Sequence, residues 1–465
     1  MKIKLAKTEL IHFVGIGGIG MSGLALIMKG LGFKIQGSDI SNNKNIEMLR
    51  KNKIKVFIGH KKQNIKGSTI LVISSAIKKN NSEYNAAKFN HLPIYKRGEV
   101  LGNIVSLMKN IVVSGSHGKT TTTSIISNIF TQSKLDPTII NGGVLNSLGN
   151  SAKLGKSDWC ILESDESDGS FLKVPKTYSI VTNIDEEHLD FYKSLDKLKL
   201  SFIKFINDTP SFGKSFLCID DENIKKITNK IKNKNFLTYG INKNANFNIH
   251  NILQKKDNSK FDLKINFPGK TTIKIKNLKI PLIGMHNIRN TTAAVAVCFT
   301  IGISLSLIKK GLLNYKGVQR RFNEIFKFRN SIFFDDYAHH PTEITETLKG
   351  VKKVYHKKEI VCIFQPHRIS RLKNLKKKFT YAFEKADTVI LCPIYKAGEN
   401  ISLGFDYHKF SQQIAKNSKV NLILIKNQIE LSKLIRNTFF NEKIVIGMGA
   451  GSISTWMREL KELLK

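Results

Sequence analysis

Ser114-Gly115-Ser116-His117-Gly118-Lys119-Thr120-Thr121 stands between the β-branched run Ile111–Val113 and an amphipathic segment carrying Ile125, Ile126, Ile129 and Phe130. Those residue types fit a phosphate cradle. Backbone amides of the loop can wrap phosphate oxygens, the Lys119 ammonium can neutralise the β and γ charges of a nucleotide, and the Thr120 hydroxyl can ligate Mg²⁺. The strict form of such a loop has glycine at position 113, where this chain has Val113, and a chance Gly-Lys-Thr after a strand is the competing explanation. Carboxylates at strand ends supply the metal chemistry. Trp159–Leu162 ends in Glu163, followed by Asp165, Glu166 and Asp168, which makes Glu163 the first candidate metal ligand. Ile180–Asn183 runs into Asp185-Glu186-Glu187-His188, and His188 offers a neutral imidazole nitrogen to a second metal. A lone histidine in a charged loop is usually only solvated, but this one ends the strand predicted next after Glu163.

A second glycine cluster, Gly15-Ile16-Gly17-Gly18-Ile19-Gly20, follows the strand-like Ile11–Val14 and precedes the helical Met21–Lys29. Gly15, Gly17, Gly18 and Gly20 let anionic oxygens approach bare backbone at a helix N-terminus, and Asp39 closes the next apolar run. Alone, this pattern reads as a dinucleotide site for NAD or as a structural turn. Further on, His286, Asn287 and Asn290 begin a helix of small residues and can read a purine edge, helix capping being the plainer role. Arg320-Arg321-Phe322 offers a guanidinium to a transferring phosphate. Asp335-Asp336-Tyr337-Ala338-His339-His340 and Gln365-Pro366-His367-Arg368-Ile369-Ser370-Arg371 each follow a predicted strand, at the binding edge of an open α/β sheet. They supply cations for a carboxylate and candidate bases. The late loop Gly447-Met448-Gly449-Ala450-Gly451 is either a further ligand loop or a packing turn.

These motifs need parallel strands to position them, and the sequence has that rhythm. Ile11–Gly15, Ile111–Ser114, Trp159–Leu162, Ile180–Asn183, Ile332–Asp335, Glu359–Phe364, Thr388–Cys392 and Lys443–Gly447 alternate with amphipathic segments. The fold class expected is α/β. With 465 residues and 41% apolar content the chain can form about three domains, divided near Lys109 and near Gly317. Between Asn235 and Ile280 the pattern turns hairpin-like, with a turn at Pro268-Gly269, and predicts a β-rich excursion of the middle domain. The formal charge of +39 comes from lysines scattered beside Asn and Ile rather than gathered in a stripe, which argues against nucleic-acid binding while still drawing in anionic small substrates. Cys160, Cys218, Cys298, Cys362 and Cys392 show no close pairing, which points to a reducing compartment, the cytoplasm, without structural zinc. No apolar stretch reaches the ~18 residues a membrane span requires, so no membrane insertion is expected.

In this order the motifs resemble the Mur ligase family over essentially the whole chain. The resemblance is carried by His12-Phe13-Val14-Gly15-Ile16-Gly17-Gly18-Ile19-Gly20-Met21-Ser22-Gly23, the Gly115–Thr121 loop, Glu163–Gly169, Asp336–Thr342 and Gln365–Arg371. It implies three domains: a Rossmann-like UDP-substrate domain (1–109), a central P-loop ATP-binding α/β domain (110–317) and a Rossmann-like C-terminal domain (318–465) receiving the amino acid. It implies UDP-N-acetylmuramate, L-alanine and ATP as substrates, Mg²⁺ as metal, and a monomer or weak homodimer. Carried over by residue, Gly115, Ser116, His117, Gly118, Lys119, Thr120 and Thr121 hold the nucleotide phosphates. Thr120, Glu163 and His188 serve the metal, and His286, Asn287 and Asn290 surround the base. Arg321 and Asp336 complete the nucleotide site. Gly15, Gly17, Gly18, Gly20 and Asp39 meet the uridine diphosphate, and His339, His367, Arg368 and Arg371 orient the alanine, its carboxylate or the reacting phosphate. His339 and Asp336 are the candidate bases. Alternatives are a ligase recycling whole peptides onto the same nucleotide sugar, a folate polyglutamate ligase, and an NAD-dependent dehydrogenase or nucleotide-sensing protein.

Overall fold

The structure, a computed structural model, describes residues 9–267, 269–399, 404–438 and 442–464. Pro268 of the expected Pro268-Gly269 turn lies outside the described residues. The chain falls into two compact units. One runs to Asn251 and adds Phe261–Ile280 and Arg289–Lys316; the other holds Ile252–Lys260, Pro281–Ile288 and the chain from Gly317 onward.

The first unit contains two sheets. The smaller is built from β1 (Leu10–Val14), α1 (Ile19–Gly30), β2 (Lys34–Asp39), α2 (Lys44–Lys51), β3 (Lys55–Ile58), β4 (Ile70–Ile73), α3 (Ser82–Phe89), β5 (Ile94–Lys96) and α4 (Arg97–Val105). Its strands are all parallel, in the order β3-β2-β1-β4-β5. Strand order reverses around β1, and the crevice this opens at the carboxyl end of β1 is where the Gly15 loop emerges.

The larger sheet follows with β6 (Lys109–Ser114), α5 (Lys119–Gln132), β7 (Thr138–Ile140), β8 (Ala152–Lys153), β9 (Trp159–Glu163), β10 (Tyr178–Val181), α6 (Leu189–Tyr192), α7 (Leu195–Asn207), β11 (Lys214–Cys218), α8 (Glu222–Ile227), β12 (Phe236–Gly240), β13 (Phe247–Gln254), β14 (Ser259–Ile265), β15 (Ile273–Ile280), α9 (Met285–Ile301) and α10 (Leu305–Leu313). Its order is β15-β14-β13-β12-β11-β10-β6-β9-β7-β8. The expected β-rich excursion is β12–β15, added at one edge, and the alternating burial of β14 marks it as half-covered. β6, β9 and β10 are near-continuous buried apolar runs, as central parallel strands covered on both faces must be.

The second unit carries β16 (Asn323–Phe328), β17 (Ser331–Asp336), α11 (Pro341–Val354), β18 (Ile360–Phe364), α12 (Ile369–Asn374), α13 (Lys376–Tyr381), β19 (Thr388–Leu391), α14 (Tyr407–Ser418), β20 (Asn421–Leu424), α15 (Gln428–Thr438), β21 (Ile444–Met448) and α16 (Ile453–Leu463). The sheet order is β16-β17-β21-β18-β19-β20, with β16 antiparallel to β17 and the other pairs parallel. Its core lies on both faces, Leu348, Val351, Phe379 and Phe410 on one and Leu431, Ile435, Met457 and Leu460 on the other. All five cysteines are buried and unpaired. No helix among the described residues is long and apolar enough to cross a membrane.

Candidate active site

The Ser114–Gly118 loop sits where the central strand of the larger sheet ends. Val113 explains itself: it is a fully buried residue of β6, opposite Glu163 on β9 and Ile180 on β10, so the strand continues to Ser114 and the turn begins at Gly115. Both neighbouring strands then deliver their carboxyl ends to the loop. From β10, Asn183 clamps it, the His117 N–H donating to Asn183 Oδ1 at 2.9 Å and Asn183 Nδ2 donating to the His117 carbonyl at 2.9 Å. The Thr182 hydroxyl donates to the same carbonyl at 2.6 Å. His117 Nε2 lies 3.1 Å from Asp185 Oδ2, and the Ser116 hydroxyl accepts from the Asp185 N–H at 2.9 Å. Gly118 has φ 83°, and a Cβ there would stand 2.5 Å from Asn290 Oδ1, so conformation and space both call for glycine. Thr120 and Thr121 follow, buried in the first turn of α5.

Lys119 is turned inward. Its ammonium donates to the carbonyls of Gly115 (2.5 Å) and Ser116 (3.1 Å) and to Glu166 Oε2 (2.9 Å), with Asp165 Oδ2 at 3.9 Å. Burial opposes its charge, but Glu166, Asp165 and Glu163 outweigh burial and hold the lysine well above its ordinary value. It is a cation at neutral pH. Glu166 is the residue that sequence reasoning left out of the site. It is fully buried, its carbonyl accepts from the Tyr192 hydroxyl at 2.5 Å, and its Oε1 lies 3.9 Å from His188 Nε2 without a hydrogen bond. Glu163, at the end of β9, accepts from the Gly142 N–H at 2.8 Å; a Cβ on Gly142 would lie 2.6 Å from its carboxylate, so glycine permits the approach. His188 has φ 56°, a left-handed conformation costly for a side-chain-bearing residue, and it precedes the short α6. Lys119, Glu163, Glu166 and His188 thus lie at the carboxyl ends of neighbouring strands; the carboxylates, the imidazole and the orphaned Glu166 oxygen are donor types a divalent cation takes, but Glu163, Glu166 and His188 are not drawn within reach of one ion.

The Gly15 loop is held by the end of β2. The Ser38 carbonyl accepts from the N–H groups of Gly15 (2.8 Å) and Ile16 (3.0 Å), and Asp39 Oδ2 accepts from the Gly17 N–H at 2.8 Å. The Gly17 donor is therefore committed to Asp39, and the Gly18 N–H donates to the Gly15 carbonyl at 3.3 Å, so the turn's approach surface is the first turn of α1 around Gly20. Arg97, absent from the sequence reading, stands over this helix start: a Cβ on Gly20 would be 3.0 Å from its guanidinium.

His286 and Asn287 occupy the first turn of α9, Asn287 Nδ2 donating to the Ile283 carbonyl at 2.8 Å. Arg320 and Phe322, at φ 60° and 52°, put a doubly strained bend around Arg321. Arg320 donates to the Gly449 carbonyl at 2.6 Å and lies over the Tyr337 ring, while Arg321 lies 3.7 Å from Glu343. His339 Nδ1 is 3.0 Å from the Tyr337 carbonyl and 3.3 Å from Glu343 Oε2, both acceptors, so Nδ1 carries a proton. His367 is stacked on Tyr395 and accepts from Arg371 at 3.2 Å through Nδ1. Burial, then His339, Arg371 and Arg368, push it down to about 3, so it is neutral and the cations of this group are Arg368 and Arg371. Arg368, at φ 66°, opens α12.

Asp336 closes β17 with both oxygens engaged, accepting from Phe322 N–H (2.8 Å) and Ala338 N–H (2.7 Å). Burial nevertheless raises it from 3.8 to about 6. A carboxyl raised in the folded state binds its proton more tightly there, so its contribution favours folding below the unfolded value and is lost as pH climbs toward the folded one. Between pH 4 and 6 stability is expected to fall by up to ~3 kcal/mol from this group. Asp336→Asn should flatten that interval in melting curves against pH; a wild-type-minus-variant difference without slope there would refute the assignment.

Comparison with known proteins places the chain in a family. The chain matches the Mur ligase family catalytic domain over residues 10–109, the Mur ligase middle domain over 113–298 and the Mur ligase glutamate ligase domain over 320–451. It is 66% identical to the UDP-N-acetylmuramate–L-alanine ligase of Pelagibacter ubique, covering 100% of both chains, and 41% identical to that of Bartonella bacilliformis, covering 100% of this chain and 98% of the other. Among solved structures, the UDP-N-acetylmuramate–alanine ligase of Thermotoga maritima matches with a TM-score of 0.82 at 28% identity, over 97% of this chain and 98% of that one. A murein peptide ligase of Psychrobacter arcticus shares the fold, with a TM-score of 0.73 at 21% identity over 98% of each chain. The chain belongs to the Mur ligase family.

Proposed function

We propose that this protein joins L-alanine to the lactyl carboxylate of UDP-N-acetylmuramate, converting ATP to ADP and phosphate, in the synthesis of peptidoglycan precursors. The observation that carries the reading is the full-length 66% identity to a relative of that name, on a chain whose phosphate loop holds Lys119 among Glu163, Asp165 and Glu166. A carboxylate repels nucleophiles and has no usable leaving group, so it must be activated first. The lactyl carboxylate attacks the γ-phosphorus of ATP, the bond to ADP breaks, and an acyl phosphate forms. The amine of alanine then adds to the acyl carbon, and the tetrahedral adduct collapses to the amide with loss of phosphate.

The loop amides from Gly115 to Thr121 cradle the phosphates, and Lys119 leaves its carbonyl and carboxylate partners to follow the charge that develops on them. Mg²⁺, with Thr120, Glu163 and His188 to hold it, would neutralise negative charge on the transferring phosphoryl oxygens. Asn290, with His286 and Asn287, serves the nucleotide base, and Arg321 the phosphate. Arg368 and Arg371 receive the alanine carboxylate. Of the two candidate bases we favour His339, because both Asp336 oxygens already accept backbone N–H groups. The Gly15 loop, with Arg97 over its helix start, takes the uridine diphosphate.

On this reading residues 1–109 bind the UDP sugar, 110–317 bind ATP and 318–465 receive the amino acid. Five buried free thiols agree with a cytoplasmic protein, and the expected state is a monomer or weak homodimer. The test is phosphate release by the purified protein over a panel of alanine, serine, glycine and a tripeptide, each with and without the UDP sugar. Release that needs both the UDP sugar and alanine is expected. Release with tripeptide in preference to alanine would assign the chain to peptide recycling instead.

A further inference from the structure

Glu83, in the first turn of α3, is completely buried, and so is His12 on β1. Glu83 Oε1 accepts from Asn64 Nδ2 at 2.5 Å and Oε2 from the Ser38 hydroxyl at 2.5 Å, with His60 Nδ1 at 3.3 Å and His12 Nε2 at 3.5 Å. Ser38 has a single hydroxyl proton and gives it to Glu83, so His60 Nδ1, 2.9 Å from Ser38 Oγ, carries a proton of its own. Burial disfavours the charge of Glu83, but His12, Ser38 and Asn64 outweigh it and keep the carboxyl below its ordinary value. Fold stability alone does not call for such a cluster, because apolar replacement of buried ionic groups is often neutral or stabilising.

What the cluster grips is the strand end that carries the glycine loop. Ser38, held by its hydroxyl, presents the carbonyl that takes the Gly15 and Ile16 N–H groups. Asn64, held by the other carboxylate oxygen, also donates to the Gly59 carbonyl at 2.9 Å, and the Gly59 N–H donates to the Asp39 carbonyl at 2.7 Å. Asp39 in turn takes the Gly17 N–H. We propose that Glu83 is the positioning residue of the UDP-binding loop, clamping Ser38 directly and Asp39 through Asn64 and Gly59, so that the diphosphate meets a loop whose shape is set before it arrives. The inference rests on the assignment of the Gly15 loop to the UDP sugar made above.

Steady-state kinetics on the full chain, varying UDP-N-acetylmuramate, ATP and L-alanine in turn, tests it with Glu83→Gln and Ser38→Ala. The second variant breaks only the hydroxyl link and keeps both carbonyl bonds to the loop. Both are expected to raise KM for the UDP sugar about tenfold, the scale on which supporting residues act. The values of kcat and of KM for ATP and alanine should stay within about twofold. Unchanged KM for the UDP sugar in a folded variant, an equal rise for all three substrates, or loss of the fold in Ser38→Ala would each overturn the proposal. If the wild-type protein itself shows no phosphate release dependent on the UDP sugar, the ligase reading fails instead.

Discussion

Lys119→Ala is expected to lower alanine-dependent phosphate release by about three orders of magnitude while changing UDP-sugar affinity by less than about threefold. The lysine is the one cation held inside the phosphate loop, and three carboxylates keep it charged. Without it the loop itself would offer the growing phosphoryl charge only bare amides, and the rest of the neutralisation would fall to Mg²⁺ and Arg321. The Gly15 loop belongs to a separate sheet with its own anchors on Ser38 and Asp39, so its ligand should not sense the change. Phosphate release and calorimetric titration of the UDP sugar on the same folded preparation decide the matter. Parallel loss in both would show that position 119 does not belong to a nucleotide site.

Glu166→Gln should cut kcat by about two orders of magnitude and also destabilise the fold by about 3 kcal/mol, since removing one member of a buried pair strands the other. The substitution keeps the shape and the carbonyl contact to Tyr192 but takes the anion 2.9 Å from Lys119 away. The ammonium then keeps only the Gly115 and Ser116 carbonyls as hydrogen-bond acceptors, which fold it back on its own loop, with Asp165 Oδ2 at 3.9 Å as the nearest carboxylate. Denaturant melts read the stability and phosphate release reads the rate. A variant as stable and as fast as wild type would make Glu166 a bystander.

How far the sequence carries can be judged residue by residue. Parallel strands announce themselves as short apolar runs, and Lys119, Glu163 and His188 follow such runs directly, so their arrival at one sheet edge was legible from spacing. Glu166 was not. It is one acid among several between Glu163 and Asp168, and only the packing of Tyr192 and Lys119 turns it inward while Asp168 stays near solvent. Arg97 lies far along the chain from Gly20, and Tyr395 from His367, and no local pattern links either pair. The left-handed backbone at His188, Arg320, Phe322 and Arg368 is equally silent, because none of these is glycine. The neutrality of His367 is a collective result of burial and neighbouring cations, which only the folded chain assembles. One helix start also slipped: α1 opens at Ile19, inside the glycine cluster and ahead of the helical run read from Met21.

The sealed cysteines have a practical corollary. Each thiol lies in a hydrophobic interior, and burial makes every one of them harder to ionise, so the thiolate that alkylating reagents need is scarce in the native protein. A cysteine introduced at an exposed position, such as Phe89 or Phe212, would therefore be labelled against a quiet background. Spectroscopic rulers for movements of this chain during turnover can be attached with its native cysteines left in place.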